Sequence, residues 1–202
     1  MGLPKTYRAV ARLGWTSSTG DRDGELVETG RVPERLEIPL GEQLQRPPAH
    51  SAVKVGGERA YRLARRGVQV ETRPRPITVY RADLLWREGD RAAFEIDCSA
   101  GTYVRSLIAD LGDAYCEELE RTAIGPFRLE QAGVLVPLAE ALAFLPERRL
   151  TGPEASAVRH GSSVPRADAG DGPLRLTAGD ELLAIGEPHD AEIKPVVVFA
   201  PA

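Results

Sequence analysis

The run Gly101-Thr102-Tyr103-Val104-Arg105 follows an apolar stretch ending at Cys98 and carries the residues best suited to chemistry. A glycine permits a tight turn with backbone or ligand close by. The spacing puts Tyr103 and Arg105 in the first turn of a helix, where backbone N–H groups and a guanidinium favour an anion. Arg105 can pair two-pronged with a carboxylate or a phosphate. The same residues also suit a capped helix bearing an ordinary surface arginine, and the run alone leaves both readings open.

Other chemistries find little footing. His50, His160 and His189 lie far apart without HxH or HxxxH spacing, and neither Cys98 nor Cys116 has a cysteine partner two to four residues away, so no metal site is expected. Ser99-Ala100-Gly101-Thr102 has one glycine and no GK[ST], which argues against a phosphate loop, and there is no GxSxG elbow. Two cysteines cannot build a disulfide scaffold, so a reducing cytoplasm is the expected compartment. No apolar run reaches the ~18 residues of a membrane span, and Met1-Gly2-Leu3-Pro4-Lys5 has no apolar signal core. With 42% hydrophobic and 28% charged residues, collagen-like, coiled-coil and wholly disordered chains are excluded.

The charge distribution says more than the net −4. Between Arg46 and Arg81 there are nine basic residues and two acidic ones, a window of +7; subtracting it from −4 leaves −11 for the rest. On a compact fold this can make a basic face that attracts phosphate. A solvated arginine-rich surface gives the same count.

Several elements must position these residues. Alternation of Tyr7, Ala9, Ala11 and Leu13 predicts a half-buried strand, followed by a turn-rich segment and a short strand over 25–28. The proline-bearing stretch 29–48 predicts little regular structure. A helix is predicted over 58–66, then a hairpin of strands 77–86 and 92–98 around Glu88-Gly89-Asp90. Thr102 is the expected N-cap of an amphipathic helix running from Tyr103 to about Tyr115, because Val104, Leu107, Ile108, Leu111 and Tyr115 recur at helical spacing. A strand over 124–129 and a helix over 137–145 come next. Short strands over 174–177, 181–185 and 195–200 read as a small β-rich appendage. At 202 residues the chain suffices for one full domain and a smaller second one.

Taken together, five segments resemble the TruB-type tRNA pseudouridine synthases. They are Lys5-Thr6-Tyr7 with Leu13-Gly14 and Thr19-Gly20-Asp21-Arg22-Asp23-Gly24; Pro47-Pro48-Ala49-His50-Ser51-Ala52-Val53-Lys54-Val55 leading to Tyr61-Arg62-Leu63-Ala64-Arg65-Arg66-Gly67; Arg75-Pro76-Ile77-Thr78-Val79; Cys98 through Leu107 with Asp110-Leu111-Gly112; and Leu119-Glu120-Arg121-Thr122 with Gly125-Pro126-Phe127. They cover about residues 5–132 in the family's order. A weaker similarity, through Arg159-His160-Gly161 and Pro195, links the tail to the family's small PUA-like RNA-binding region.

The resemblance implies an α+β fold: the mixed, antiparallel sheet of the pseudouridine synthase catalytic fold, incomplete, over 1–147, and a PUA-like region over 148–202. It implies isomerisation of a T-loop uridine in tRNA, with the base extruded from its stack and an aspartate as the essential group, without cofactor or metal. It implies a monomer. Tyr7 matches the tyrosine that stacks on the flipped base, Tyr103 the active-site tyrosine, Arg105 the arginine that pairs with the catalytic aspartate, and Leu119 an apolar wall. Residues 40–67 match the thumb that closes on the T-arm, which makes Lys54, Arg59, Arg62, Arg65 and Arg66, with Arg121, the expected RNA contacts. Tyr7 and Tyr103 also suit core tyrosines.

Two departures follow from the same resemblance. The family's aspartate lies in a Gly-x-Leu-Asp-Pro-x-Ala-Thr-Gly segment upstream of Lys-x-Tyr, whereas here Lys5-Thr6-Tyr7 is near the start and no Leu-Asp-Pro occurs. The expectation is an N-terminally truncated catalytic domain, inactive by itself, with an exposed sheet edge and with Arg105 facing an empty position. Asp21 and Asp23 match a later acidic loop and are not assigned the nucleophile's role. Glu120 stands where the family's Leu-Arg-Arg-Thr has its first arginine, which weakens RNA contact there.

Overall fold

Alternating small and apolar residues make β1 (Lys5–Leu13) the centre of the first unit of the computed structural model, which describes residues 2–166 and 170–199. Tyr7, Ala9, Ala11 and Leu13 turn to the core, and Arg8, Val10 and Arg12 turn away. A small ladder follows, β2 (Trp15–Ser17) with β3 (Leu26–Glu28), then β4 (Gly41–Gln45), the two-residue strands β5 (Lys54–Val55) and β6 (Glu58–Arg59), and α1 (Ala60–Arg65). The long hairpin β7 (Arg75–Glu88) and β8 (Arg91–Cys98) leads into α2 (Val104–Ala109), β9 (Ala114–Ile124) and β10 (Phe127–Arg128). The six main strands form one antiparallel sheet in the order β10-β9-β1-β8-β7-β4.

One face of this sheet carries the core. Phe94 and Ile96 from β8 and Val104, Leu107 and Ile108 from α2 bury against Ala9, Ala11 and Ala92. Full burial of side chains such as Phe94 and Ile108 stabilises the unit by about 1.5–3 kcal/mol each.

The structure departs from the sequence reading here: Tyr103, not Thr102, is the N-cap of α2, and in place of one strand over 124–129 the chain ends β9 at Ile124, forms β10 and enters a short helical turn over Leu129–Gln131. The stretch 29–48 does hold a regular element: β4 pairs with residues Arg75–Val79 of β7, because Gly41 to Gln45 contains no proline and β7 offers it a free edge. The helix expected to reach Tyr115 ends at Ala109. Gly112 sits at φ +124°, a conformation few other residues adopt, and turns the chain back so that Ala114 to Ile124 pairs along β1. Tyr115 and Cys116 are therefore strand residues. Their spacing from Leu111 imitates a helix, but the ladder to β1 supplies the hydrogen bonds.

The chain divides into units Met1–Ala132 and Gly133–Ala202, whereas the sequence places the boundary near residue 147. The second unit holds α3 (Leu138–Ala141), β11 (Glu147–Arg149), α4 (Gly152–Arg159), β12 (Val164–Pro165), β13 (Leu174–Ala178), β14 (Glu181–His189) and β15 (Glu192–Val198). Its sheet runs β11-β13-β14-β15-β12, antiparallel apart from the parallel pair β11–β13. The sequence reading missed α4, although its signals are present: Thr151 and Glu154 form a capping box, with Pro153 in the first turn. Ala155 and Val158 of α4 bury against Leu174, Leu176, Leu183 and Ile193. Ala200, the end of the last expected strand, lies outside the described residues. Among the described residues no helix is long and apolar enough to cross a membrane.

Candidate functional site

The turn from Thr19 to Asp23 presents a carboxylate to the start of α2. Thr19 Oγ1 donates to Asp21 Oδ1, the Asp23 N–H donates to the same oxygen at 3.2 Å, and the Cys116 N–H donates to the Gly20 carbonyl at 3.0 Å. Gly20 lies at φ +75°, and a side chain there would begin 3.6 Å from Arg105 Cβ. Glycine thus serves the turn, whose φ other residues rarely adopt, while a side chain there would make only an ordinary contact with Arg105.

Arg105, on the first turn of α2, meets that carboxylate. Its Nη1 pairs with Asp21 Oδ2 and donates to the Thr19 carbonyl at 3.3 Å; Nη2 donates to the His50 carbonyl at 2.9 Å. The two side chains are 21% and 24% exposed, so the pair is shielded but still reachable. The expectation of an Arg105 that faces an empty position is therefore corrected: Asp21, 84 residues away in sequence, occupies it. The reason is electrostatic. A half-buried guanidinium recruits the nearest carboxylate, and the Gly20 turn delivers one. Burial pushes the Asp21 carboxyl up, but hydrogen bonds from Thr19 and Arg105, the Arg105 charge and the Asp23 N–H outweigh it and hold it below its ordinary value.

Two pockets share this pair. One, of about 620 Å³, runs along β9 and is lined by Asp21, Arg22, Asp23, Arg105, Cys116, Glu117, Glu118, Leu119 and Glu120. Five carboxylates against two arginines make it acidic. Burial pushes its Cys116 thiol up to about 12, so the sulfur stays protonated at neutral pH. The other pocket, of about 340 Å³, is lined by Thr19, Asp21, Asp23, His50, Tyr61, Arg65 and Arg105. It opens toward α1, which carries Arg62 and Arg65 in its last turn. Two carboxylates and two arginines line this second pocket, so the formal charges balance there, whereas the β9 pocket is acidic.

A third cleft, of about 460 Å³, is lined by Thr6, Arg8, Arg81, Glu95, Asp97 and others. These residues alternate with core-facing Tyr7, Ala9, Ile96 and Cys98, so the cleft is on the other face of the sheet, away from Arg105. Its central cation, Arg81, is already engaged by Asp83, Glu95 and Asp97.

The structure brings some of the sequence-derived residues together and not others. Leu119, 45% exposed, shares the β9 pocket with Arg105. Tyr103 is the residue that enters α2; its side chain is half-buried and lines neither pocket on Arg105. Tyr7 packs against the sheet core, opposite Arg121 on β9, and Arg121 is exposed. Lys54 and Arg59 face each other across β5 and β6, and Arg62, Arg65 and Arg66 project from or just beyond α1, all five exposed. Arg66 is partly neutralised by Glu58 at 2.8 Å.

Sequence reasoning missed three residues of this site. Asp21 was present in the quoted acidic loop but had no sequence signal tying it to Arg105. Gln45 binds the backbone of Tyr103 through both ends of its amide. Tyr61 was visible only as part of the thumb-like segment.

The comparisons with known proteins agree with this frame. Residues 1–104 match the model of the TruB family pseudouridylate synthase, N-terminal domain. The chain is 35% identical to the tRNA pseudouridine synthase B of Arthrobacter sp. (strain FB24), an alignment covering 100% of this chain and 78% of the relative. It is 38% identical to the protein of the same name from Mycobacterium tuberculosis (strain ATCC 25618 / H37Rv), covering 98% and 76%. Among solved structures it is similar to a chain in the crystal structure of a Cbf5-Nop10-Gar1 complex, with a TM-score of 0.68 and 26% identity over 98% of this chain and 67% of that one. By its sheet, its motifs and its relatives, the chain belongs to the TruB family of pseudouridylate synthases.

Proposed function

We propose that the chain acts on tRNA, as its relatives' name states, and that its substrate is a T-loop uridine turned out of the stack toward the Asp21–Arg105 pair and isomerised to pseudouridine. The observation that carries this reading is the pocket of about 340 Å³ that joins the pair to the arginine-bearing α1. Cations on α1 meet phosphate and Arg105 orients a carboxylate, while Leu119, on the β9 side of the pair, keeps the apolar-wall role that the family resemblance implies. The acidic β9 pocket repels the backbone, so RNA approaches from the α1 side. Tyr7 and Tyr103 keep the roles the family resemblance implies, Tyr7 toward the base and Tyr103 at the reacting ring. The second unit is read as a PUA-like RNA-binding region and the protein as a cytoplasmic monomer.

Isomerisation breaks the N-glycosidic bond and rejoins the ring through C5, which calls for a carboxylate at the sugar. The Leu-Asp-Pro aspartate is not in this sequence. A second reading, a T-arm-binding protein that does not isomerise, is favoured by one observation: Arg105, its expected partner, is already engaged by Asp21. Incubating the 202-residue chain with a T-arm stem-loop, then measuring binding and product by mass spectrometry, separates the two. Salt-dependent binding without pseudouridine supports the second for this chain alone. Appreciable product would assign the attack to another carboxylate, Asp21 first. Absence of binding overturns both.

A further inference from the structure

We propose that Tyr61 is a stacking platform for an unpaired nucleobase, standing at the mouth of the Asp21–Arg105 pocket. The proposal rests on the RNA reading above and adds a base contact on α1. Tyr61 lines the pocket of about 340 Å³ together with His50, Arg65, Asp21 and Arg105. Neither Tyr7 nor Tyr103 lines either pocket built on Arg105.

The position of Tyr61 is set by main-chain bonds. Its N–H donates to the Ser51 carbonyl at 3.0 Å, and the Ala60 N–H donates to the Val53 carbonyl at 2.7 Å. Arg105 Nη2 donates to the carbonyl of His50, the residue just before Ser51. Two adjacent carbonyls thus tie the backbone of Tyr61 and the guanidinium of Arg105 to one short segment. The residue that anchors α1 is Ala60, fully buried, so the Tyr61 side chain is not needed as a core contact. It remains half-buried, and the guanidinium carbons of Arg65 and Arg62 lie over its ring, 5.6 and 5.9 Å from the centroid, so an incoming base takes the place of one of them on the ring face and frees it for the backbone.

An aromatic face beside arginines is the arrangement that holds single-stranded nucleic acid, the ring taking a base and the cations taking the backbone. Stacking tolerates any base, so Tyr61 contributes affinity and placement, and base identity is read elsewhere in the pocket.

The test measures fluorescence anisotropy of a labelled T-arm stem-loop with the wild-type chain, Tyr61→Phe and Tyr61→Leu. A series of stem-loops follows, each with an abasic sugar at one loop position. Tyr61→Phe is expected to bind like the wild type. Tyr61→Leu is expected to bind roughly 5- to 150-fold more weakly, the span that ~1–3 kcal/mol of stacking predicts. Its salt slope stays unchanged, since no phosphate contact is lost. Its deficit disappears for the one abasic RNA that lacks the stacked base. Wild-type-like binding by Tyr61→Leu overturns the stacking role and leaves the RNA reading standing. An equal deficit on every abasic RNA, or a deficit accompanied by a lower melting temperature, marks a structural role and also overturns it. Failure of the wild-type chain to bind any stem-loop overturns the RNA reading and the stacking role together.

Discussion

Gln45 holds the backbone of Tyr103 at both of its polar groups: Nε2 donates to the Tyr103 carbonyl at 3.0 Å, and Oε1 accepts from the Tyr103 N–H at 2.8 Å. Gln45 is 5% exposed and closes β4 within the thumb-like segment. Tyr103 enters α2 without a side-chain cap, and Gln45 accepts from its N–H from 58 residues away, the bond that the N3 side chain of a capping box makes locally. Arg105 lies two residues further on, and its direction depends on that entry.

Gln45→Leu leaves the Tyr103 N–H without a partner, at about 1–3 kcal/mol, while the Tyr103 carbonyl still accepts from the Ser106 and Leu107 N–H groups. Gln45→Glu keeps the acceptor, loses the donor and falls between. In a chain of this size each kcal/mol lowers the melting temperature by about 2–4 °C. A Gln45→Leu variant that melts with the wild type would remove the clamp from this account.

Asp21→Asn tests the Arg105 pair. At neutral pH the loss of a charge-assisted hydrogen bond costs about 1.5–3 kcal/mol, read by urea unfolding. The pH dependence has a definite sign. The folded Asp21 carboxyl is held below its ordinary value, so its contribution is full above the unfolded value of ~3.9 and is lost as pH falls through the lower folded value. Wild-type stability should therefore fall more steeply below about pH 4 than that of Asp21→Asn. Parallel curves would deny the pair its contribution.

Both cysteines are buried, and burial raises both thiols, Cys116 to about 12. A thiol-specific chromogenic reagent at pH 8 should find no reactive sulfur in the native protein and two per chain after denaturation. The linked stability is complete below the unfolded thiol value of ~8.5 and is drawn down as pH rises from there toward about 12. Rapid native labelling of Cys116 would show that its pocket opens to reagent.

Charge reversal on α1 should weaken T-arm binding. Arg62→Glu and Arg65→Glu each remove a cation that otherwise rests on the Tyr61 ring, and each should reduce the slope of log affinity against log salt by about 0.7–0.9. Arg66→Glu should cost less, because Arg66 already shares its charge with Glu58. No loss at Arg62 or Arg65 would take the RNA path away from α1, and an equal loss at Arg66 would show that Glu58 does not mask it.

Much of this protein was legible from local pattern. Period-two alternation marked β1 and the β7–β8 hairpin, the basic window marked the α1 region, and the order of short motifs marked the family. Each of these signals is written by residues close together in the chain, and short-range geometry suffices to read them.

Tertiary structure alone decided the rest. The segment Ala114–Ile124 is charged through its middle, and it is a strand because β1 gives it a ladder. Asp21 became the partner of Arg105 because a turn pinned to Cys116 carries it there, and Gln45 reached Tyr103 because β4 docks on β7. Local preferences are worth tenths of a kcal/mol, whereas a buried charge or an unpaired backbone group costs whole ones. The pairings that relieve those costs span 58 to 84 residues, and only the folded chain selects them.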